Sequence, residues 1–339
     1  MRHLGIDIGT GNIVCAEKTN GGHEFRKVRD AFFKVDPESF MAGSAMSFGE
    51  KMLKRSGANY IKLDGKLHIL GDDAFKFAHM FHRECLRPMA KGVLNPKEPI
   101  NTIMVRELLR GVVGQCDDEK SVVYFCSPAN PIDADFDVTY HATSVREVLV
   151  NDLGYKNVYM MTEGLAVVYS ELEKEFFTGI GVSFGAGMTN ITYSCMGIPI
   201  FSFSVARSGD WIDTNAAEAT NETANVVQAV KEKEMNINAP EGNTQRAIAS
   251  YYHALLTYVV QQFNYLYKSH DKKELPNITE PIVIAVAGGT SKVNGFKRVL
   301  KDLVEKEFPL PVGEIRLAEK PLYAVSRGLC NAAVVATEG

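Results

Sequence analysis

Two short segments of the chain share a glycine pattern that could bind a chain of phosphates. Leu4–Val14 reads LGIDIGTGNIV and Ile180–Ile191 reads IGVSFGAGMTNI. In each, an apolar run enters a glycine turn, and a second run that is typical of a strand leaves it. Glycine lacks a Cβ and tolerates positive φ, so backbone N–H groups in such turns can converge on an anion. Two facing turns would hold a polyphosphate, which points to a nucleotide bound in a cleft.

The first turn adds polar side chains to its amides. Asp7 supplies a carboxylate, while Thr10 and Asn12 supply a hydroxyl and an amide. Mg²⁺ prefers oxygen ligands and keeps much of its water, so one well-placed Asp can hold it indirectly. An ordinary β-hairpin is the alternative, and the second copy of the pattern disfavours it. The segment is neither a P-loop nor a Rossmann fingerprint, because it lacks G-x-x-x-x-G-K-[ST] and has Val14 where a third glycine belongs.

A third glycine site, Ala287-Gly288-Gly289-Thr290, ends an apolar run at Ile282–Ala287. Backbone there can approach a ligand closely, and the N-terminus of a following helix is positive. The alternative is a strand-to-helix loop that merely needs glycine.

The elements that must position these turns follow one scheme, which occurs twice. Units of strand, glycine turn and strand alternate with helical segments, as in an α/β protein with an internal duplication. The spacing predicts a hairpin over Tyr60–Ile69, an irregular region over Gly21–Leu53, and an apolar helix stripe within Thr244–Ser269. We expect two packed domains around a cleft, joined by helices that act as a hinge.

The composition excludes several classes of protein. The chain has 339 residues, of which 45% are hydrophobic, which suits two globular domains. Its net charge of −4 and its lack of a basic run disfavour nucleic acid as a partner. Six scattered cysteines without C-x-x-C disfavour zinc and disulfides and indicate a reducing compartment, the cytoplasm. We expect no signal peptide and no transmembrane segment, while peripheral membrane contact stays open.

The motifs together resemble one ATPase superfamily. IDIGTGN, VSFGAGMTN and VAGGTSKVNGF occur in the order of the phosphate-1, phosphate-2 and adenosine segments of the actin/Hsp70/sugar-kinase ATPases. Met161–Ala166 and Glu319–Gly328 resemble the two connecting helices of these proteins. Leu86–Val93 (LRPMAKGV) and Ser208–Asp213 (SGDWID) are similar to segments of prokaryotic actins of the MreB and MamK kind. The resemblance extends from Leu4 to about Ala333.

The resemblance implies a duplicated, ribonuclease H-like α/β fold with two domains around a nucleotide cleft. Domain I would cover residues 1–150, with a small inserted subdomain at about 30–70, and a C-terminal helix at about 322–339 would complete it. Domain II would cover residues 151–321, with a reduced inserted subdomain at about 211–270.

The resemblance also implies roles for single residues. The phosphates of ATP or ADP would contact the two turns: Gly9, Thr10, Gly11 and Asn12, and Gly185, Ala186, Gly187 and Met188. The ribose and base would contact a second group: Gly209, Lys231, Glu232, Gly288, Gly289, Thr290 and Lys292. Asp7 would lie near Mg²⁺, and Glu163 would orient the attacking water. The alternatives are a carboxylate favoured by a helix dipole for Glu163 and a solvated helix face for Lys231 and Glu232.

Two departures from the family pattern bear on function. The family usually has Asp at the start of the second phosphate turn, where this chain has Ser183, so Mg²⁺ binding or hydrolysis could be weaker. Only about a dozen residues separate Lys231 from the helix near Thr244, where MreB-like chains place several strands. We therefore expect a reduced, mostly helical fourth subdomain. The sequence thus favours polymerisation less strongly than it favours nucleotide binding.

The function that the resemblance implies is an actin-like ATPase that hydrolyses ATP slowly with Mg²⁺ and assembles into cytoplasmic filaments. Its partners would be further copies of itself and adaptor proteins. One alternative is a non-polymerising, nucleotide-gated adaptor, which Ser183 and the short insertion favour. Another is a small-molecule kinase on the same fold, although the sequence contains no clear sugar-binding cluster.

Overall fold

The computed structural model describes residues 1–35, 45–81, 83, 85–95, 97–233, 235–278 and 280–337. Its strands are β1 (His3–Ile8), β2 (Asn12–Thr19), β3 (Gly22–Arg29), β4 (Phe32–Val35), β5 (Tyr60–Leu63), β6 (Lys66–Leu70), β7 (Met89–Ala90), β8 (Val93–Leu94), β9 (Val122–Ser127), β10 (Asn157–Thr162), β11 (Gly179–Phe184), β12 (Thr189–Cys195), β13 (Ile198–Val205), β14 (Ile282–Ala287) and β15 (Val312–Leu317).

The helices are α1 (Ala45–Ser56), α2 (Gly71–Met80), α3 (Pro99–Val113), α4 (Thr139–Glu147), α5 (Glu163–Glu171), α6 (Gly209–Thr220), α7 (Ala224–Glu232), α8 (Gly242–Ser269), α9 (Phe296–Glu307) and α10 (Ala324–Val335). A π-helical turn, Val148–Asp152, follows α4, and a 3₁₀ turn, Gly289–Lys292, follows β14. No helix within the described residues is both long and apolar enough to span a bilayer.

Two five-stranded sheets repeat one strand order. The first sheet runs β3-β2-β1-β9-β10 and the second runs β13-β12-β11-β14-β15. In each, the first strand pairs antiparallel with the next strand in the chain and parallel with a strand that follows a long crossover. The predicted α/β duplication is therefore confirmed, and the units around the two sheets are called domain I and domain II.

The central strands are apolar because helices cover the sheets. Leu4, Ile6 and Ile8 of β1 are buried with the inner face of α3. Strand β14 is buried along its whole length, with one face against α8 and α9 and the other against α5 and α10. Parallel strands that are covered on both faces read as continuous apolar runs. Strand β10 pairs in parallel with β9 and so belongs to the first sheet. The predicted boundary between residues 150 and 151 would separate β10 from this sheet.

Helices α5 and α10 lie between the two sheets and share one apolar cluster, which includes Val167 and Leu329. They cross at backbone contact, because a Cβ at Gly328 would collide with the carbonyl of Ala166. A Cβ at Gly5 of β1 would likewise collide with the backbone of α10. Only glycine permits such an approach, so α10, the last helix, is fixed to the first strand.

A smaller sheet, β4-β6-β5, packs with α2 beside domain I. The hairpin predicted over Tyr60–Ile69 is confirmed, since Leu63 pairs with Lys66, and Asp64 and Gly65 in the turn have φ of 48° and 74°. The prediction of an irregular region over Gly21–Leu53 is wrong, because β3, β4 and α1 occupy much of it. Residues 36–44 of that region lie outside the described residues.

The long helix of domain II, α8, has the buried apolar stripe that the spacing of its residues predicts. The stripe on α8 is buried: Tyr252, Leu255, Leu256, Val259, Val260 and Phe263. Between β13 and β14, the described residues form α6, α7 and α8 and no strand of a sheet. Asn236 makes a single bridge to Asn294 in this region. Sequence reasoning missed β15, a half-exposed edge strand.

Candidate functional site

A cleft of about 640 Å³ lies between domain I and domain II. Each residue for which the sequence predicts a site role lines it: Asp7, Gly9, Thr10, Gly11, Asn12, Glu163, Gly185, Ala186, Gly187, Met188, Gly209, Lys231, Glu232, Gly288, Gly289, Thr290 and Lys292. Residues that are far apart in the chain thus converge because both glycine turns lie at the cleft edge of their sheets.

The two turns have the same backbone closure. Gly9 N donates to Asn12 O over 3.1 Å, and Gly185 N donates to Met188 O over 3.0 Å. None of the four glycines in these turns adopts a left-handed φ, so the expectation that glycine is needed there for positive φ is wrong. Space is the reason at Gly187, where a Cβ would lie 2.5 Å from Thr10 Oγ1. The turns therefore contact each other directly.

The two turns contain free backbone amides in residues that line the cleft. Within the described residues, the N–H groups of Thr10, Gly11, Ala186 and Gly187 donate no hydrogen bond to the chain. Unpaired backbone donors need a partner, and converging amides form a concavity that suits an anion. This arrangement can bind phosphate groups from both sides.

The carbonyl oxygen of Gly185 fixes the second turn. It accepts hydrogen bonds from Ser208 Oγ over 2.6 Å, from Thr290 Oγ1 over 2.7 Å and from Gly209 N over 3.2 Å. Asp210 N also donates to Ala186 O over 2.8 Å. The carbonyls of Gly185 and Ala186 are thus bonded within domain II.

Asp7, which is half-buried, and Glu163, which is buried, form an acidic pair that lines the cleft. Burial raises the pKa of both carboxyl groups, and the charge of Asp7 adds to the rise at Glu163. Ser183 and Asn190 partly oppose this rise in the pKa of Glu163. Cys126 Sγ lies 3.4 Å from Asp7 Oδ1 and holds that oxygen in place. A cation nearby would relieve the cost of burying these charges.

The donor set fits a magnesium ion that is held mainly by phosphate and water. Within the described residues, no group of three His, Cys, Asp or Glu side chains gathers to hold a metal ion. Mg²⁺ usually takes one or two carboxylates together with substrate phosphates. Asp7 beside the free amides supplies one such carboxylate, while Ser183 supplies none.

The ammonium group of Lys231 is committed to domain II. Lys231 Nζ lies 2.6 Å from Asp213 Oδ2 and 3.0 Å from Gly209 O, and both charged side chains are nearly buried. Burial raises the pKa of Asp213 to about 6, although Lys231 opposes the rise. Lys231 therefore fixes the start of α6 at the cleft, and it is not merely part of a solvated helix face.

The loop after β14 completes the domain II wall. Gly288 has φ of 92° and its N–H donates to Pro321 O over 2.9 Å. Tyr252 OH donates to Thr290 O over 3.1 Å, which links the loop to α8. Lys292 ends the 3₁₀ turn and lines the cleft.

Sequence analysis did not identify several residues that line the cleft. Lys27 and Arg29 line the cleft from β3, in a region that the sequence predicted to be irregular. Arg87 of domain I crosses the cleft, and its Nη1 lies 3.0 Å from both carboxylate oxygens of Asp210 in domain II. Arg87 and Asp210 lie in segments that are similar to those of prokaryotic actins, but no sequence signal indicates that the two side chains pair.

Comparison with known proteins identifies the family of the chain. A model of the family described as Volactin matches residues 1–333. The chain belongs to the Volactin family. A comparison of this Volactin chain with curated proteins found no match.

Solved structures show that the Volactin chain has an actin-like fold. A structure titled "MamK double helical filament" has a TM-score of 0.71 at 17% identity and covers 98% of both chains. A non-polymerising MamK mutant bound to AMPPNP has a TM-score of 0.60 at 19% identity, also over 98% of both chains. MreB5 of Spiroplasma citri bound to ADP has a TM-score of 0.66 at 14% identity, over 96% of this chain and 94% of the other. The predicted resemblance and fold class are confirmed.

Proposed function

We propose that this chain is an actin-like ATPase that binds ATP with Mg²⁺ in its interdomain cleft, hydrolyses it slowly and assembles into filaments in the cytoplasm. One observation carries the proposal: two matched glycine turns, one from each domain, contain four free amides, and the residues that carry them line the same cleft. A polyphosphate that binds both turns would hold the domains together. The neighbours bound to AMPPNP and ADP support a nucleotide as the ligand.

The hydrolytic step requires a water molecule in line with the γ-phosphate. Glu163, at the N-terminus of α5, accepts a hydrogen bond from this water. The water oxygen bonds to the γ-phosphorus as the bond from that phosphorus to the β-phosphate oxygen breaks. The water gives a proton to an oxygen of the released phosphate, which yields ADP and inorganic phosphate. Mg²⁺, held by Asp7 and the phosphates, would neutralise phosphate charge.

Enzyme assays with a matched pair of variants test this role. Glu163→Gln is expected to lower ATP turnover about 100-fold or more while changing the dissociation constant for ATP less than about fivefold. Glu173→Gln, an exposed change just beyond α5, serves as the control and should leave turnover unchanged. Equal turnover in wild type and Glu163→Gln would contradict the assignment.

Filament assembly is tested separately, by sedimentation and negative-stain microscopy. Head-to-tail contacts that do not close by rotation produce open filaments, and the MamK filament has the same fold as this chain. We expect pelletable polymer with ATP and none without nucleotide. Glu163→Ala should still assemble and should disassemble more slowly. Absence of polymer across salt and protein concentrations would count against assembly.

A nucleotide-gated adaptor that does not polymerise is the second candidate. Two features favour this candidate. Ser183 lines the cleft where the family usually has a carboxylate, and the described residues between β13 and β14 form helices and no strand of a sheet. Tight ATP binding with negligible turnover and a monomeric sedimentation profile would select the adaptor over the filament.

A further inference from the structure

The cleft contains cations that differ in how firmly they are held. A nucleotide polyphosphate carries several negative charges, and charge-assisted hydrogen bonds to phosphate are among the stronger polar contacts. The cationic side chains that line the cleft are Lys27, Arg29, Arg87, Lys231, Lys233 and Lys292. Those already paired with protein carboxylates are less available to a ligand.

Three of these cations are paired. Arg29 Nε lies 3.3 Å from Asp72 Oδ1, and its guanidinium lies 4.4 Å from the ring centre of Phe75. Arg87 and Lys231 bind Asp210 and Asp213, as described above. Each ion pair offsets the charge that a phosphate would otherwise meet.

Lys27 is unpaired. Among the described residues, its side chain has no ion pair or hydrogen bond. Lys233 and Lys292 are also unpaired, but they lie on the domain II wall, after α7 and in the 3₁₀ turn. Lys27 is therefore the available cation on the domain I wall.

Strand register places Lys27 beside the first glycine turn. Asn12, the last residue of that turn, pairs with Arg29, and Val14 pairs with Lys27. Residues directly opposite in an antiparallel pair share a face, and residues two apart along a strand share it as well. All four residues line the cleft accordingly. Strand β2 leaves the turn with apolar Val14 on this face, so its neighbour β3 supplies the positive charge.

We propose that Lys27 binds the phosphate tail of the nucleotide and makes the cleft discriminate by the number of phosphates. The proposal rests on the proposed nucleotide-binding function. The ammonium group donates hydrogen bonds to phosphate oxygens from the domain I side, while the free amides of the two turns donate from between the domains. Because Lys27 is exposed and unpaired, its replacement leaves the fold intact.

Isothermal titration calorimetry with ATP, ADP and adenosine tests the proposal. Lys27→Gln is expected to weaken ATP binding about tenfold or more, ADP binding less, and adenosine binding less than about twofold. Lys27→Arg keeps the charge and should remain within about threefold of wild type for ATP. Lys18→Gln is the matched control, an exposed lysine of β2 outside the cleft, and should change nothing.

The outcomes separate this inference from the proposed function. Wild type that binds no ATP would overturn both. If wild type binds ATP and the Lys27→Gln variant binds it equally tightly, the role of Lys27 alone would be overturned. An equal loss for ATP and adenosine, or an equal loss in Lys18→Gln, would also overturn it, since neither reports phosphate recognition.

Discussion

The two glycine turns have the same backbone but different side-chain chemistry. Each closes through one hydrogen bond between its first and fourth residues, at 3.1 Å and 3.0 Å. Two positions before the first glycine, domain I has the half-buried acid Asp7 and domain II has the neutral, buried Ser183. Both halves of the duplication thus contain a turn with free amides, but only domain I has an acidic residue at the end of the strand before it.

The hydrogen bonds that hold the two turns to their surroundings also differ. Three donors from α6 and from the loop after β14 meet at the carbonyl of Gly185 and hold the second turn. The carbonyl of Gly11 in the first turn accepts one backbone hydrogen bond, from Asp30. Domain II thus holds its turn in a fixed frame, whereas the turn of domain I follows the acidic residue Asp7.

The largest expected effect comes from making the two turns alike in charge. Ser183→Asp places a third carboxyl group beside Asp7 and Glu163, and an uncompensated buried charge costs about 3 kcal/mol of unfolding free energy. We expect that loss in urea unfolding without divalent cation, with partial recovery when Mg²⁺ and ATP are added. Ser183→Asn, which is neutral, should lose much less. Equal losses in both variants would show that size, not charge, distinguishes the turns.

A smaller effect is expected from adding one methyl group to each turn. Gly187→Ala places its Cβ 2.5 Å from Thr10 Oγ1 and 2.6 Å from Gly92 N, and such overpacking costs about 2 kcal/mol. Gly11→Ala places its Cβ 3.5 Å from the Cβ of Ala186, an ordinary contact, and should cost less than about 0.5 kcal/mol. Urea unfolding without nucleotide measures both. If the two variants lose equal stability, the turns do not touch as described.

The smallest effect concerns the ion pair that joins the two walls. A double-mutant cycle with Arg87→Ala and Asp210→Ala should give a coupling of about 1 kcal/mol, because both side chains are only about one-third exposed. The control cycle uses Arg110 and Glu107, which pair within α3 and should couple by about 0.5 kcal/mol or less. Raising the salt concentration should weaken both couplings. A coupling across the cleft no larger than that within α3 would argue against a link between the domains.

Sequence reasoning succeeded where a local pattern has one structural meaning. The glycine turns, the apolar strands and the carboxylate at the start of α5 each follow from a few adjacent residues. It failed at β3, because GHEFRKVR is a charged edge strand that lacks an apolar alternation, and its residues are mostly half-buried. The opposition of Lys27 to Val14 depends on that missed strand. The pairing of Arg87 with Asp210 depends on tertiary packing across 123 positions of chain.

The glycine contact between β1 and α10 has a consequence for biosynthesis. Domains usually fold as units while the ribosome extends the chain, with the N-terminal one first. Here β1 is covered by a helix that spans Ala324–Val335, so domain I cannot complete its interior until Val335 has emerged from the ribosome. Nascent chains halted before that helix should remain protease-sensitive in their opening segment and in need of chaperones.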